Sequence, residues 1–396
     1  MTSSEPNNIN ISKTDGIRIE INRPHPLLFP TSVYPIPQKE SGVNVPIQLD
    51  VSVINDSSTP FYINLFQSFV PELVTFDRQI IQQNIVTEEI ITNTQPKKSL
   101  EYSHREEVGW WQIRPESSFG FRLPAKLFWQ NNSLQLKISS PANYVFGSTG
   151  LNYFWCFDDL QANTYQLRFM LTTEFQARYA SKSDIITEKI ARETSSKILA
   201  TSWVNLRLVH PLSTDNNAIE VDGIVFKVEM QKSVLNIPAR QTGTRTDVKL
   251  CIHIMNNLST ALCFYQVGSF KLTLIGEDGK EISFGSDPIK QVRDVAERQN
   301  YYLVQPKESG VFDLDGMLFW EYDQLKLAIS NKYRHYFPGE NTFDYFIGLN
   351  PGVSYQVQVV YYFMERGVRQ LEEQVLEKVW TGWVAMPFVE FRIVEP

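Results

Sequence analysis

The chain has 396 residues, 37 of them basic and 44 acidic, for a net charge of −7. That is too little charge for an extended disordered polyelectrolyte, and 42% hydrophobic residues supply enough apolar surface for sizeable cores. The longest basic run is Lys97-Lys98, which excludes a general nucleic-acid binder because counterion release requires clustered Lys and Arg.

Residues 1–15, polar and rich in Ser, Asn and Thr, read as a flexible N-terminal tail. They offer neither the basic nor the apolar region of a secretory signal, so a cytoplasmic location is expected. From Gly16 onward the dominant period is two. Ile47, Leu49, Val51 and Val53 alternate with Gln48, Asp50 and Ser52, which predicts a strand with one buried face. The polar run Asn55 to Pro60 ends it in a turn. Gln82 to Trp111 and Gln176 to Ile198 read as long connections, and the second is expected to hold a short helix that starts at Ser183 or Asp184 and carries Ile186 and Ile190.

An internal repeat organises the chain. Residues 112–139 return without a gap as residues 303–330, with 11 identities in 28 positions, among them Pro115/Pro306, Phe121/Phe312, Phe128/Phe319 and Trp129/Trp320. Around that block Gly16-Ile17 corresponds to Gly223-Ile224, Ile47–Asp56 to Val248–Asn257, Tyr165 to Tyr355, and Val204–Pro211 to Val389–Pro396. A unit of roughly 180 residues is far longer than a solenoid repeat, so each copy should own a core and fold alone. The expected organisation is repeat 1 over residues 16–211, a linker over 212–217 and repeat 2 over 218–396. In the second copy a further short helix is expected after Asp287-Pro288, from the spacing of Ile289, Val292 and Ala296.

Candidate sites are few. Cys251 and His253 share the outward phase of one strand with Lys249, which predicts a reactive Cys251 thiol, and Cys263 lies downstream. A fourth ligand is missing and the first copy has Asp50 and Ser52 at the aligned positions, so no metal site is predicted. Nucleophile-elbow, zinc-protease, Walker and dinucleotide-binding motifs are all absent, the five histidines fall at unmatched positions, and no catalytic residue, enzyme activity or cofactor is predicted. The longest apolar stretch, Val357 to Met364, is interrupted by Gln358 and is less than half the roughly 20 residues of a spanning helix, so no membrane span is expected.

Leu160-Gln-Ala-Asn-Thr-Tyr165 and Leu349-Asn-Pro-Gly-Val-Ser-Tyr355 each set a Leu, a tight turn and a Tyr before an alternating strand. Both resemble the tyrosine corner of immunoglobulin-like and fibronectin type III-like sandwiches, in which the phenol bonds back to the corner's backbone. The resemblance implies an all-β chain of two tandem immunoglobulin-like β-sandwich domains, with short helices in connections and with Tyr165 and Tyr355 as structural corners. Asn257-Leu-Ser259 and the later Asp278-Gly-Lys-Glu hairpin are more distantly similar to intracellular proteinase inhibitors of the same sandwich class. The expected function is a non-catalytic protein-binding or scaffold protein that presents loops and sheet edges to another protein. The alternatives are an intracellular inhibitor or regulator of an enzyme and a carbohydrate-binding module. Function should sit where the copies differ, and interface energy concentrates in Trp, Tyr and Arg, which points to Tyr102, Arg105, Trp110 and Trp111.

Overall fold

A computed structural model describes residues 16–23, 31–39, 43–64, 69–89, 110–140, 151–172, 198–241, 243–266, 269–277, 279–282, 284–286, 301–330, 343–363 and 379–395. The chain is all-β, and among the described residues no helix occurs. Both short helices expected from the sequence fall outside the described residues. The first half of the chain runs through β1 (Ile17–Arg23), β2 (Thr31–Pro35), β3 (Val45–Asn55), β4 (Phe61–Asn64), β5 (Phe69–Thr75), β6 (Ile80–Ile81), β7 (Gln83–Glu89), β8 (Trp110–Ile113), β9 (Ser117–Gln130), β10 (Ser133–Ser139), β11 (Leu151–Leu160), β12 (Thr164–Thr172), β13 (Ile198–Ala200) and β14 (Val204–Val209). The second half runs through β15 (Ala218–Val221), β16 (Ile224–Met230), β17 (Val234–Asn236), β18 (Arg245–Asn256), β19 (Leu262–Tyr265), β20 (Phe270–Gly276), β21 (Phe284–Ser286), β22 (Tyr301–Val304), β23 (Ser309–Glu321), β24 (Gln324–Ser330), β25 (Phe343–Leu349), β26 (Ser354–Phe363), β27 (Gly382–Ala385) and β28 (Val389–Val394).

Two compact units result. The first holds residues 38–207 and those before 31; the second holds Thr31–Pro37 and everything from Leu208 onward. The segment Thr31–Pro37, which the sequence ranges place in repeat 1, therefore packs in the second unit: β2 pairs in parallel with β27, and Ile36 donates its N–H to the carbonyl of Val209 at 2.7 Å. In the first unit one antiparallel sheet has the order β1-β3-β9-β10-β11-β7, and β12 of a second sheet pairs with β5, β13 and β14. In the second unit the corresponding sheet is β15-β16-β18-β23-β24-β25-β21, faced by a layer in which β26 pairs with β20, β27 and β28.

Alternation explains these layers. Along β3 every second residue from Val45 to Asn55 is buried, and β18 repeats the pattern from Val248 to Asn256, so one face of each sheet enters a core. The same ring pair closes both cores between their layers: Phe69 meets Phe121 at 5.2 Å in the first unit, and Phe270 meets Phe312 at 5.6 Å in the second. The turns repeat as well. Asn131-Asn132 and Tyr322-Asp323 all have positive φ, the signature of a two-residue type I′ hairpin that matches strand twist. Gly16 and Gly223, at φ 81° and 80°, open β1 and β16, and a Cβ there would strike Ser57 and Leu258 respectively.

Candidate functional site

The corner tyrosines are well placed to bond the backbone. Tyr165 Oη accepts the N–H of Gln161 at 2.9 Å and donates to the same residue's carbonyl at 3.2 Å; Tyr355 Oη does the same at Asn350, at 2.6 and 3.4 Å. Burial pushes both phenols above their ordinary value, against the pull of those backbone bonds.

Of the residues expected to bind a partner, Tyr102 and Arg105 lie outside the described residues. Trp110 and Trp111 open β8, which pairs with β4 in the backbone register Trp110↔Asn64 and Trp111↔Ile63. Their counterparts in the second copy are Tyr301 and Tyr302, in the equivalent ribbon of β19 and β22. Tyr301 packs on Tyr265 and Phe363, and Tyr302 sets its ring edge against Phe312. That position is therefore a strand of the fold in both copies. The connection predicted over Gln82 to Trp111 also contains a second strand, β7.

Cys251 and His253 do face outward on β18, whereas Cys263 is buried on β19, so the three candidate ligands do not converge. In cross-strand register Cys251 stands between Glu229 and Asp313, and its thiol donates to Asp313 Oδ1 at 3.3 Å. Burial first, then that bond and the neighbouring carboxylates, pushes the thiol up, which overcomes the opposing effect of Lys249. The rest of the face is a charge network. Lys227 pairs with Asp215 at 2.6 Å and with Glu229, and Lys249 pairs with Asp313 at 2.8 Å. The hydrogen bonds that Lys227 donates to Asp215 and Glu229 raise Lys227, and the one Glu229 accepts lowers Glu229. Asn217, Gln231, Ser233 and Cys251 line an open cleft beside this network. A protonated thiol flanked by acids is a poor nucleophile.

A further candidate lies at a sheet edge in the first unit. β7 ends its sheet: it pairs with β11 through seven consecutive positions, from Gln83↔Phe157 to Glu89↔Leu151, and no strand among the described residues covers its other side. Ile85 is 70% exposed and Val86 37%, and the chain leading into β7 exposes Phe76 and Ile80. The strand is held firmly on its inner side. Asn84 donates to Asp158 at 2.7 Å, and Glu88 pairs with Lys137, whose side chain is 7% exposed and lies 3.9 Å from the Phe154 ring centroid. Lys137 belongs to a cross-strand row, Lys126, Lys137 and Cys156, where the second copy has Met317, Ala328 and Tyr345. Burial and the charge of Lys137 lower Lys126, and burial raises the Cys156 thiol.

Sheet edges invite pairing with other chains, and folds blunt them with short strands, charge, proline or bulges. Two of the other edges of these sheets are blunted. β1 carries Arg18, Glu20 and Arg23 and a register shift at its end, and β15 has four residues. β7 has seven residues, neither Lys nor Pro, and an apolar centre. The sequence signal was the β-branched run Ile85-Val86-Thr87 in the segment where copy one is longer.

No family model matches the chain, and no curated protein matches it. Among solved structures it is similar to red sea bream transglutaminase at 9% identity, over 97% of this chain and 32% of that one, with a TM-score of 0.20. It is also similar to a Salmonella alpha-2-macroglobulin at 9% identity, over 90% of this chain and 26% of that one, with a TM-score of 0.11. The chain thus spans about a third or less of the length of these proteins.

Proposed function

We propose that the chain is a non-catalytic protein-binding module made of two immunoglobulin-like sandwiches, and that it offers the β7 edge to an extended strand of another polypeptide. The two tyrosine corners support the immunoglobulin-like reading. The observation that carries the function is the exposed apolar centre of β7 on a strand already fixed to its sheet, the geometry in which an added strand gains main-chain hydrogen bonds with little ordering cost. A cysteine content of three in 396 residues, too small for a disulfide framework, supports a reducing compartment, the cytoplasm, as the place where it works.

The test compares partners retained by the immobilised chain and by its Val86→Lys variant. A charge at the centre of the edge should remove the partner while the thermal melt stays within a few degrees. Equal retention by both proteins would eliminate β7 as the binding surface.

A further inference from the structure

We propose that the strand received by β7 is β7 of a second copy of this chain, so that two first units join edge to edge through an antiparallel pair. The inference rests on the reading of β7 as a recognition edge and adds the occupant.

Geometry and charge on the strand itself carry it. Along an edge, the backbone groups that point outward belong to alternate residues, so two identical antiparallel strands can exchange hydrogen bonds only when their two-fold axis passes through a residue. Val86 is the middle residue of Gln83–Glu89, and an axis there overlaps all seven positions. Ile85 then stands opposite the partner's Thr87, Asn84 opposite the partner's Glu88, and Gln83 opposite the partner's Glu89. In this register the acidic positions 88 and 89 stand opposite the amide positions 84 and 83, and no Glu stands opposite Glu. Val86 meets its own copy, and Ile85 lies diagonal to its own copy, within the reach of an apolar contact. The sequence order amides, apolar centre, acids is thus complementary to itself when reversed. β1, the opposite edge of the same sheet, has Arg18 and Glu20 on its solvent face and a register shift between Ile21 and Arg23. The two edges of one sheet are therefore treated differently.

The full-length chain should sediment at high concentration with about twice the 45.8 kDa of one copy, and dissociate on dilution. Val86→Lys sets two ammonium groups face to face on the axis and should weaken self-association by about tenfold or more. Val86→Cys, in a Cys251→Ser background, should form a reducible intermolecular disulfide because residues on the axis are directly opposed, whereas Ile80→Cys should not. A dimer that Val86→Lys leaves intact, or that Val86→Cys fails to link, lies on another surface and overturns the proposal. A chain that stays monomeric at every concentration also overturns it. If Val86→Lys then still abolishes capture of a different partner, the recognition-edge reading survives alone; if it changes nothing, both fall.

Discussion

Asn55 and Asn256 hold the same position in the two units and share three side-chain hydrogen bonds, to which Asn55 adds one accepted from the Ser57 hydroxyl at 2.6 Å. Asn55 Nδ2 donates to the carbonyls of Thr59 and Ile113 at 2.8 and 3.0 Å, and Asn256 Nδ2 to those of Thr260 and Val304 at 2.7 and 3.1 Å. Their Oδ1 atoms accept the N–H groups of Ser57 and Leu258, both at 3.0 Å. Each fully buried amide thereby ties the end of a long strand to its own turn and to the neighbouring ribbon strand, β8 or β22. Asn55→Ala and Asn256→Ala should each cost about 2–4 kcal/mol, because each removes three shared hydrogen bonds from a buried site, although the Thr59 carbonyl keeps the Ser57 hydroxyl as a donor. Denaturant unfolding of the full chain measures this, and a cost below about 0.5 kcal/mol would mean that water takes the amide's place.

The corner phenols give a second stability test, with a pH signature. Tyr165→Phe and Tyr355→Phe leave a backbone N–H and a carbonyl unpaired at each corner and should cost about 1–3 kcal/mol apiece. Because burial raises both phenols above 10.0, the unfolded chain ionises first as the pH climbs past that value. The contribution of each phenol is complete below pH 10.0 and declines above it. The two Phe variants should show a shallower alkaline loss of stability than the parent chain.

The segment Thr31–Pro37 should behave as part of the second unit. Val33, Tyr34 and Ile36 are buried there, and the Tyr34 ring lies 4.8 Å from that of Trp383. A fragment of residues 208–396 lacks these side chains, each worth about 1.5–3 kcal/mol of burial, and should melt lower than the same unit in the full chain. Adding a peptide that contains residues 31–37 should raise its melting temperature; an unchanged melt would show that the segment contributes nothing to that core.

Cys251 should react slowly with alkylating reagents at neutral pH, in contrast to the reactive thiol that strand phase alone predicts. The phase is correct, but the thiol is half-buried, bonded to Asp313 and flanked by Glu229, and all three keep it protonated. Asp313→Asn should accelerate alkylation at fixed pH, as measured by mass spectrometry of the native protein. Slower alkylation of the variant would contradict this origin of the thiol's inertness.

The elements legible in the sequence were those whose cause is local. Alternation exposed β3 and β18, the gapless block exposed β9–β10 and β23–β24, and the Leu-turn-Tyr pattern marked the two corners. Asn55 and Asn256 were not legible as clamps, because an Asn before a Ser- and Thr-rich turn reads as a turn residue and its acceptors at Ile113 and Val304 are 58 and 48 residues away. β2 was hidden for a similar reason: its partner β27 lies in the other half of the chain, and Pro35 and Pro37 resemble a linker. β7 was absorbed into a connection because an edge strand has no buried face to give it a strict period, and so Ile85 and Val86 escaped notice while Trp110 and Trp111 drew it.

Amide hydrogen exchange of the full chain, followed strand by strand as its concentration is raised, tests the recognition role of β7 most directly. Slowing of exchange within Gln83–Glu89, with β1 unchanged and with the effect absent in Val86→Lys, is the predicted result. Exchange in β7 that stays the same at every concentration and in the presence of any partner the chain retains would contradict the account.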